Sequence, residues 1–558
     1  VSTRATPNGF EATEFKVGLF GNNADWMADV GNQLIRTLGW GQITVSVAEI
    51  EENRDPTTSD FAWIIVKWQD WEREDSITHT EFTPALFVWK ILELAFSNQG
   101  YQLISPFTSD PFNRLIIPVP KNLDADYLRD NINMRASEAS PASAYRDDFT
   151  GEIQISFTDE TTDPNFDFGG NYTGGVYTVP ITALYDIIVE LNFNFSASSN
   201  DPGQPTTLIL EWRVNGTAIA IYLFVADDYD WNNVLVFNEA ITFELIEDLN
   251  EGDTVELYLR YDNVNIFTLN NLSGFQSANA EKDSFNLEEV YDLSAFIPSS
   301  WYVRDLIKDL TDPIFNLAWE TDVAGGKVYC YPKDDHYLTY RADGSGAITT
   351  TSFSGFFQDS NLYDLSIREV QGGELEIIDG YKRNTILSYQ TDDPTTESEE
   401  KRRGVNIYSG GYQFPEDRFE NGIEFLYTNF FAKCIQINDD EITSSGAMYG
   451  VQIPLLYGDD YNTSIGAKPN YYVAPRLLYY GGRRAGLDGN VNMYYETSSA
   501  SSAFDYPAAF VTNYIDPSAG DWSLSFSDEN TNYLQVVPGL FRTMHMQEFK
   551  RREIGKRY

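Results

Sequence analysis

Basic residues are scarce. Across 558 residues, 38 Lys and Arg face 84 Asp and Glu, a formal charge of −46 at neutral pH. A mean field of that sign repels phosphate backbones, so direct, sequence-specific nucleic-acid binding is disfavoured; the same acidity also serves solubility or adaptation to salt. Cysteine is scarcer still. Cys330 and Cys434 stand far apart with no CxxC spacing, which gives neither a zinc site nor a disulfide framework, and both read as ordinary apolar or half-buried positions. No uninterrupted apolar run is long enough to span a bilayer and no signal peptide is recognisable, so the expectation is a soluble protein or assembly subunit without a transmembrane segment.

Catalytic signatures are missing as well. The three histidines, His79, His336 and His545, sit in no HExxH and beside no cysteine pair. There is no Gly-x-Ser-x-Gly elbow, P-loop or Gly-x-Gly-x-x-Gly opening a helix. Two carboxylates at a set separation would suffice for a glycosidase, yet the sequence singles out no such pair. The acidic knots Asp227, Asp228, Asp230 and Asp439, Asp440, Glu441 lack the spaced calcium loop with its central glycine, and read as solvated turns. Trp231, beside the first knot, has a face that can stack on a sugar, but a Trp on a sandwich is more often a packing residue. The expectation is therefore no catalytic residue, no cofactor and no metal, and a protein that is not an enzyme.

What the chain has is aromatic and β-branched surface. Aromatics make up 15% of it, with 35 Tyr and 36 Phe, a mixture suited to half-buried pleated sheets. Its length implies about three to five domains. Near the start Phe15, Val17 and Leu19 alternate as a strand, and Met27, Val30, Leu34, Ile35 and Leu38 then recur at helical spacing. "SDFAWIIVKW", residues 59–68, reads as a buried strand.

One module is written twice. "TPALFVWKILELAFSNQG" opens on Thr83 before Pro84, an N-cap and first-turn arrangement, and closes at Gly100; this predicts a helix over 84–99, with "YQLIS" and "RLIIPVP" following as strands. In "IPSSWYVRDLIKDL", Ser299 and Ser300 are the candidate caps of a helix over 300–314. Val303, Leu306, Ile307, Leu310 and Ile314 lie on one face of it. "FNLAWET", a Gly-Gly turn and "KVYCYPKDD" complete this second copy. Two copies are too few for a solenoid, and duplication of one domain type explains them economically.

Between the copies the pattern becomes purely β. Tyr185, Ile187, Val189, Leu191, Phe193 and Phe195 alternate with Asp186, Ile188, Glu190, Asn192 and Asn194. Leu208, Leu210, Trp212 and Val214 repeat the period up to an Asn215-Gly216 turn, and Val255, Leu257, Leu259 and Tyr261 repeat it again. A β-sandwich fits this segment. After the polar run "DDPTTESEEKRRG", short aromatic strands return, and "FKRREIGKRY" reverses the charge of the rest.

"FTPALFVWKILELAFSNQGYQLISPF", "YDLSAFIPSSWYVRDLIKDLTDPIFNLAWETD", "KVYCYPKDDHY" and "KPNYYVAPRLLYYGG" together resemble tail-tip (baseplate) hub proteins of tailed phages and prophages of Bacteroidetes hosts. "GGNYTGGVYTVPITALYDIIVELNFNF", "WRVNG" and "LNEGDTVELYL" are similar to jelly rolls of the tumour-necrosis-factor and complement type, through Tyr177, Pro180, Tyr185, Asn215, Gly216, Gly252 and Asp253. The resemblance implies a mainly β chain with a few short helices. Its parts would be a first tube-type β-barrel domain over 1–140, an inserted jelly roll over 145–270, a second tube-type domain over 290–392 and a C-terminal β-rich hub region over 405–558. It implies a virion structural protein: a homotrimer joining the sixfold tail tube to distal tail, fibre or spike proteins and forming part of the DNA conduit. Two related domains in each of three subunits would present six similar elements to the tube. The alternative is a surface adhesin or receptor-binding component whose jelly roll takes a host glycan.

Overall fold

The computed structural model describes residues 23–66, 77–140, 144–146, 150–162, 164–198, 206–226, 235–262, 266–282, 285–322 and 326–332, together with shorter pieces between 341 and 545. The expected opening strand around Phe15–Leu19 lies outside the described residues. The chain divides into two compact units, Val1–Pro120 with Phe285–Tyr558, and Lys121–Ser284. It is mainly β, with five short α-helices among the described residues.

In the first unit, α1 (Asn23–Gly31) is followed by β1 (Gln42–Thr44), α2 (Val47–Glu51), β2 (Phe61–Ile65) and β3 (Ile77–Thr78). Next come β4 (Phe82–Phe87), α3 (Val88–Asn98), β5 (Gln102–Ile104) and β6 (Leu115–Pro118). The helical period read through Leu38 breaks at Gly31, and a 3-10 turn, Ile35–Thr37, resumes beyond it. Val30, Ile35 and Leu38 are nonetheless all buried.

β4 corrects the sequence reading. Thr83 and Pro84 are strand residues, and α3 starts only at Val88, with Phe87 before it and no side-chain cap. All six residues of β4 are buried between β2 and β6. Proline cannot donate to a ladder and is rare in interior strands. Here Val119 N–H donates to the Pro84 carbonyl, and Thr83 Oγ1 donates to the Val119 carbonyl at 2.5 Å, standing in for the N–H that proline lacks.

The second unit opens with α4 (Ala125–Asn131), which Asp124 caps by accepting from Tyr127 N–H. Its strands are β7 (Met134–Ser140), β8 (Ala144–Arg146), β9 (Thr150–Asp159), β10 (Tyr172–Thr173), β11 (Val176–Thr178) and β12 (Ala183–Ser198). β13 (Thr206–Val214), β14 (Thr217–Ala226), β15 (Leu235–Leu249), β16 (Thr254–Asp262) and β17 (Ile266–Glu281) complete it. Every pairing is antiparallel. β15, β12 and β17 run side by side, with β7 and β8 on β17; β14, β13 and β16 run side by side, with β9 and β11 on β16. β7 pairs with β9 and joins the two sets into one large antiparallel sheet consistent with a jelly roll.

The period-2 reading holds residue by residue on β12, where Tyr185, Ile187, Val189, Leu191 and Phe193 are buried. Asn215 and Gly216 both have positive φ, 50° and 74°, as a two-residue hairpin turn between β13 and β14 requires. Gly274 is needed for room: a Cβ there would lie 1.9 Å from the Glu190 carbonyl oxygen. β7 belongs to this sheet although its residues fall inside the expected first domain.

The chain then returns to the first unit with β18 (Val290–Asp292), α5 (Val303–Asp309), a π turn (Leu310–Ile314), β19 (Leu317–Asp322) and β20 (Lys327–Pro332). Val303, Leu306, Ile307, Leu310 and Ile314 are buried, as their spacing predicts. The helix begins at 303 instead of 300, because Ser299 and Ser300 lie in a turn closed by Trp301 N–H on the Pro298 carbonyl.

Sequence-distant segments meet throughout this unit. β1 pairs with β18, β5 lies parallel to β20, and β3 lies parallel to Asn492–Tyr495. β2, β4 and β6 continue antiparallel into Leu478–Arg484 and Tyr506–Phe510 as one five-stranded sheet. The regions expected as separate domains over 1–140, 290–392 and 405–558 are thus interleaved, since ladder partners hundreds of residues apart leave no local signature. The two modules also pair differently: β19 and β20 form a hairpin, whereas β5 and β6 enter different sheets. No sheet among the described residues closes into a barrel by hydrogen bonds. The outer strands of the five-stranded sheet, β2 and Tyr506–Phe510, do approach within 8 Å at their Cα atoms.

Candidate functional site

A cavity of about 440 Å³ opens beside α5 in the first unit. Trp301 and Tyr302 enter it from the residues before the helix, and Asp305, Leu306 and Asp309 come from the helix itself. Ile35, Ile117, Phe430 and Pro475 arrive from four distant parts of the chain. The Trp301–Val303 backbone is held at two points. Ile35 N–H donates to the Trp301 carbonyl at 2.9 Å, and Val303 N–H donates to the Gln33 carbonyl at 3.0 Å.

Asp305 and Asp309 are one helical turn apart and so share a face. Asp309 is 3% exposed, whereas the Asp305 side chain is 52% exposed. Arg304 lies over the Tyr302 ring at 4.2 Å and reaches Asp305 at 3.8 Å, leaving the carboxylate largely to solvent. Among the described residues, the lining offers an apolar, aromatic wall with acceptor carboxylates and the Ser300 side chain, an arrangement suited to binding.

The residues weighed from sequence lie elsewhere. His79 is buried in a 3-10 turn, His545 is 3% exposed, and His336 is outside the described residues. Cys330 is buried on β20, where burial pushes its thiol well above the ordinary range. Cys434 begins the strand Cys434–Ile437. Asp227, Asp228, Asp230, Trp231, Asp439, Asp440 and Glu441 all lie outside the described residues. Among the described residues, no group of three or more His, Cys, Asp or Glu side chains could hold a metal ion, and no helix is long and apolar enough to cross a membrane.

The jelly-roll residues divide into core and turn. Tyr177 and Tyr185 are fully buried with ring centroids 6.0 Å apart; their hydroxyls donate to the carbonyls of Ile132 and Ile181, and burial raises both phenols. Asn215 donates to Asp253 at 2.7 Å and accepts from Thr254 N–H, tying two turns together. Glu211, 1% exposed, is neutralised by Arg213 and Arg260, each at 2.8 Å, and Arg213 also reaches Glu152 at 2.6 Å.

Sequence reasoning placed α5 but missed its cavity. The available signal was Trp301-Tyr302 followed by acids at helical spacing; Ile117, Phe430 and Pro475 gave none. No family model matches the chain, and no characterised protein matches it in sequence. Among solved structures it is similar to one described as Eiger TNF from S. frugiperda, at 12% identity, over 28% of this chain and 97% of that chain, with a TM-score of 0.18.

Proposed function

We propose that the protein is a structural subunit of a phage tail tip: a trimeric hub between tail tube and distal host-contact proteins, with no chemistry of its own. The sequence resemblance supports this reading. The observation that carries it is the five-stranded sheet of the first unit, whose outer strands come within 8 Å of each other, as the wall of a narrow tube-type barrel would. That wall is built from strands on both sides of the inserted jelly roll.

In this reading the doubling lies within one unit. α3 and α5, one from each module, pack side by side there. A trimer would then offer six helix-bearing modules to a sixfold tube, with adjacent modules related but not equivalent. A conduit lined with part of the chain's excess acid would repel DNA and let it slide.

The test is direct. Tail particles purified from a host expressing the protein, analysed by quantitative mass spectrometry and imaged at low resolution, are expected to contain the chain with threefold density at the tip. Its absence from particles, or a monomer free of any assembly, would overturn the proposal.

A further inference from the structure

β14 ends one set of strands of the jelly roll. Among the described residues it pairs with β13 alone, so its other side presents a row of backbone N–H and C=O groups outside the ladder. Its sequence, TAIAIYLFVA, holds no charge and no proline. The register shift at Trp212/Arg213 leaves Ile219 as an extra residue close to the hairpin turn, and the run 220–226 beyond it is regular. Sheet edges are ordinarily blunted by charge, proline or bulges; this run has none of them. Of the ten large apolar side chains that stand exposed among the described residues, four fall within five positions of β14: Ile219, Ile221, Tyr222 and Leu223, each 40% exposed or more. Ile221 and Leu223 lie on one face of the strand and Tyr222 on the other, where its ring meets Phe243 of β15 at 6.0 Å. A row of main-chain donors and acceptors between two apolar faces is matched by another extended, apolar strand. A sugar leaves the side chains uncovered, and a helix leaves the ladder groups unpaired.

Charge decides whose strand it is. A net charge of −46 drives copies of this chain apart over most of their surface. The long strands β9, β12, β13, β15, β16 and β17 all carry charged side chains, and β14 alone carries none. On β13 behind it, Glu211 is matched by Arg213 at 2.8 Å and by Arg260 from β16. The strip is therefore neutral, and two copies meet along it without setting acid against acid. We propose that β14 pairs with β14 of a second copy of this chain, antiparallel about a twofold axis, so that the β16–β13–β14 ladder continues from one copy into the other. A twofold contact needs a patch complementary to itself, and an uncharged, β-branched strand is one. Ten residues give an edge roughly 33 Å long. The inference is independent of the tail-tip reading, whose threefold contacts it leaves alone.

Sedimentation of the full chain over a concentration series tests it. The parent is expected to reach twice the mass it has at high dilution and to stop there, because a twofold contact closes. Ile221→Lys is expected to move that transition to at least about tenfold higher concentration with an unchanged melting curve, since residue 221 is exposed in the single copy. Ile246→Lys, at a comparably exposed position on β15, should leave the transition in place. Leu223→Cys, at the middle of the regular run, should join two chains by a disulfide on oxidation, and Ile246→Cys should not. A mass that never rises, a transition indifferent to Ile221→Lys or equally sensitive to Ile246→Lys, or crosslinking no faster at 223 than at 246 would overturn the proposal. Growth beyond a doubling would also overturn it, by assigning the edge to open-ended aggregation. A dilute monomer that doubles counts against the threefold hub alone, and a dilute trimer that never doubles counts against the β14 pairing alone.

Discussion

Thr83 Oγ1 donates to the carbonyl oxygen of Val119 at 2.5 Å, the place on the ladder where Pro84 has no N–H to offer. Both residues are fully buried, so without this hydroxyl the carbonyl would be desolvated and unpaired. Thr83→Val keeps the shape and removes the donor. It is expected to destabilise the first unit by about 1–3 kcal/mol, while Thr83→Ser retains most of the stability. Denaturant titration of the three proteins checks this; equal midpoints for Val and Thr would show that the bond contributes nothing.

Phe96 on α3 and Trp319 on β19 stack with an interplanar angle of 6° and centroids 6.1 Å apart, and Trp26 packs against both. The two sequence modules therefore share one core. Phe96→Ala is expected to cost about 3–5 kcal/mol. A double-mutant cycle with Trp319→Ala should reveal coupling of about 0.5–1.5 kcal/mol beyond area burial. Strict additivity would mean that the modules are energetically separate.

Gln276 on β17 is fully buried, and neither its amide nitrogen nor its oxygen has a hydrogen-bond partner among the described residues. Gln276→Met preserves length and removes the desolvated amide. The second unit is expected to gain about 1–3 kcal/mol, read as a higher midpoint of its thermal transition.

Asp253 is held below the ordinary aspartate range, first by the Asn215 amide and then by the Asn250 N–H. A carboxyl whose folded pKa is depressed stabilises fully above its unfolded value, near pH 4, and loses that contribution as pH falls through the folded value. Acid titration of the second unit is therefore expected to show a shallower loss of stability below about pH 4 in Asp253→Asn than in the parent. An unchanged slope would assign the acid sensitivity to other groups.

Legibility followed the range of the forces involved. The sandwich could be read almost strand by strand, because one buried face imposes a period of two on Tyr185 through Phe193 and a hairpin demands Asn215-Gly216. α5 was legible through Val303, Leu306 and Ile307 but not at its start, where a turn on Pro298 takes the place of a serine cap. Thr83-Pro84 has the local chemistry of a helix start, and only the flanking strands β2 and β6 decide otherwise. The cavity was hidden for the same reason: its walls at Ile117, Phe430 and Pro475 meet only after the distant strands have assembled.

The pairing of β6 with Leu478–Arg484 sets a timetable for biosynthesis. During translation, everything in the Lys121–Ser284 unit emerges while β6 still lacks its later neighbour, so that unit can close first. The early apolar strands must wait on or near the ribosome, one edge unsatisfied, until a partner made more than three hundred residues later appears. A slow ribosome or a missing chaperone would then show its effect in the aggregation of nascent chains, before any fault appeared in the finished protein.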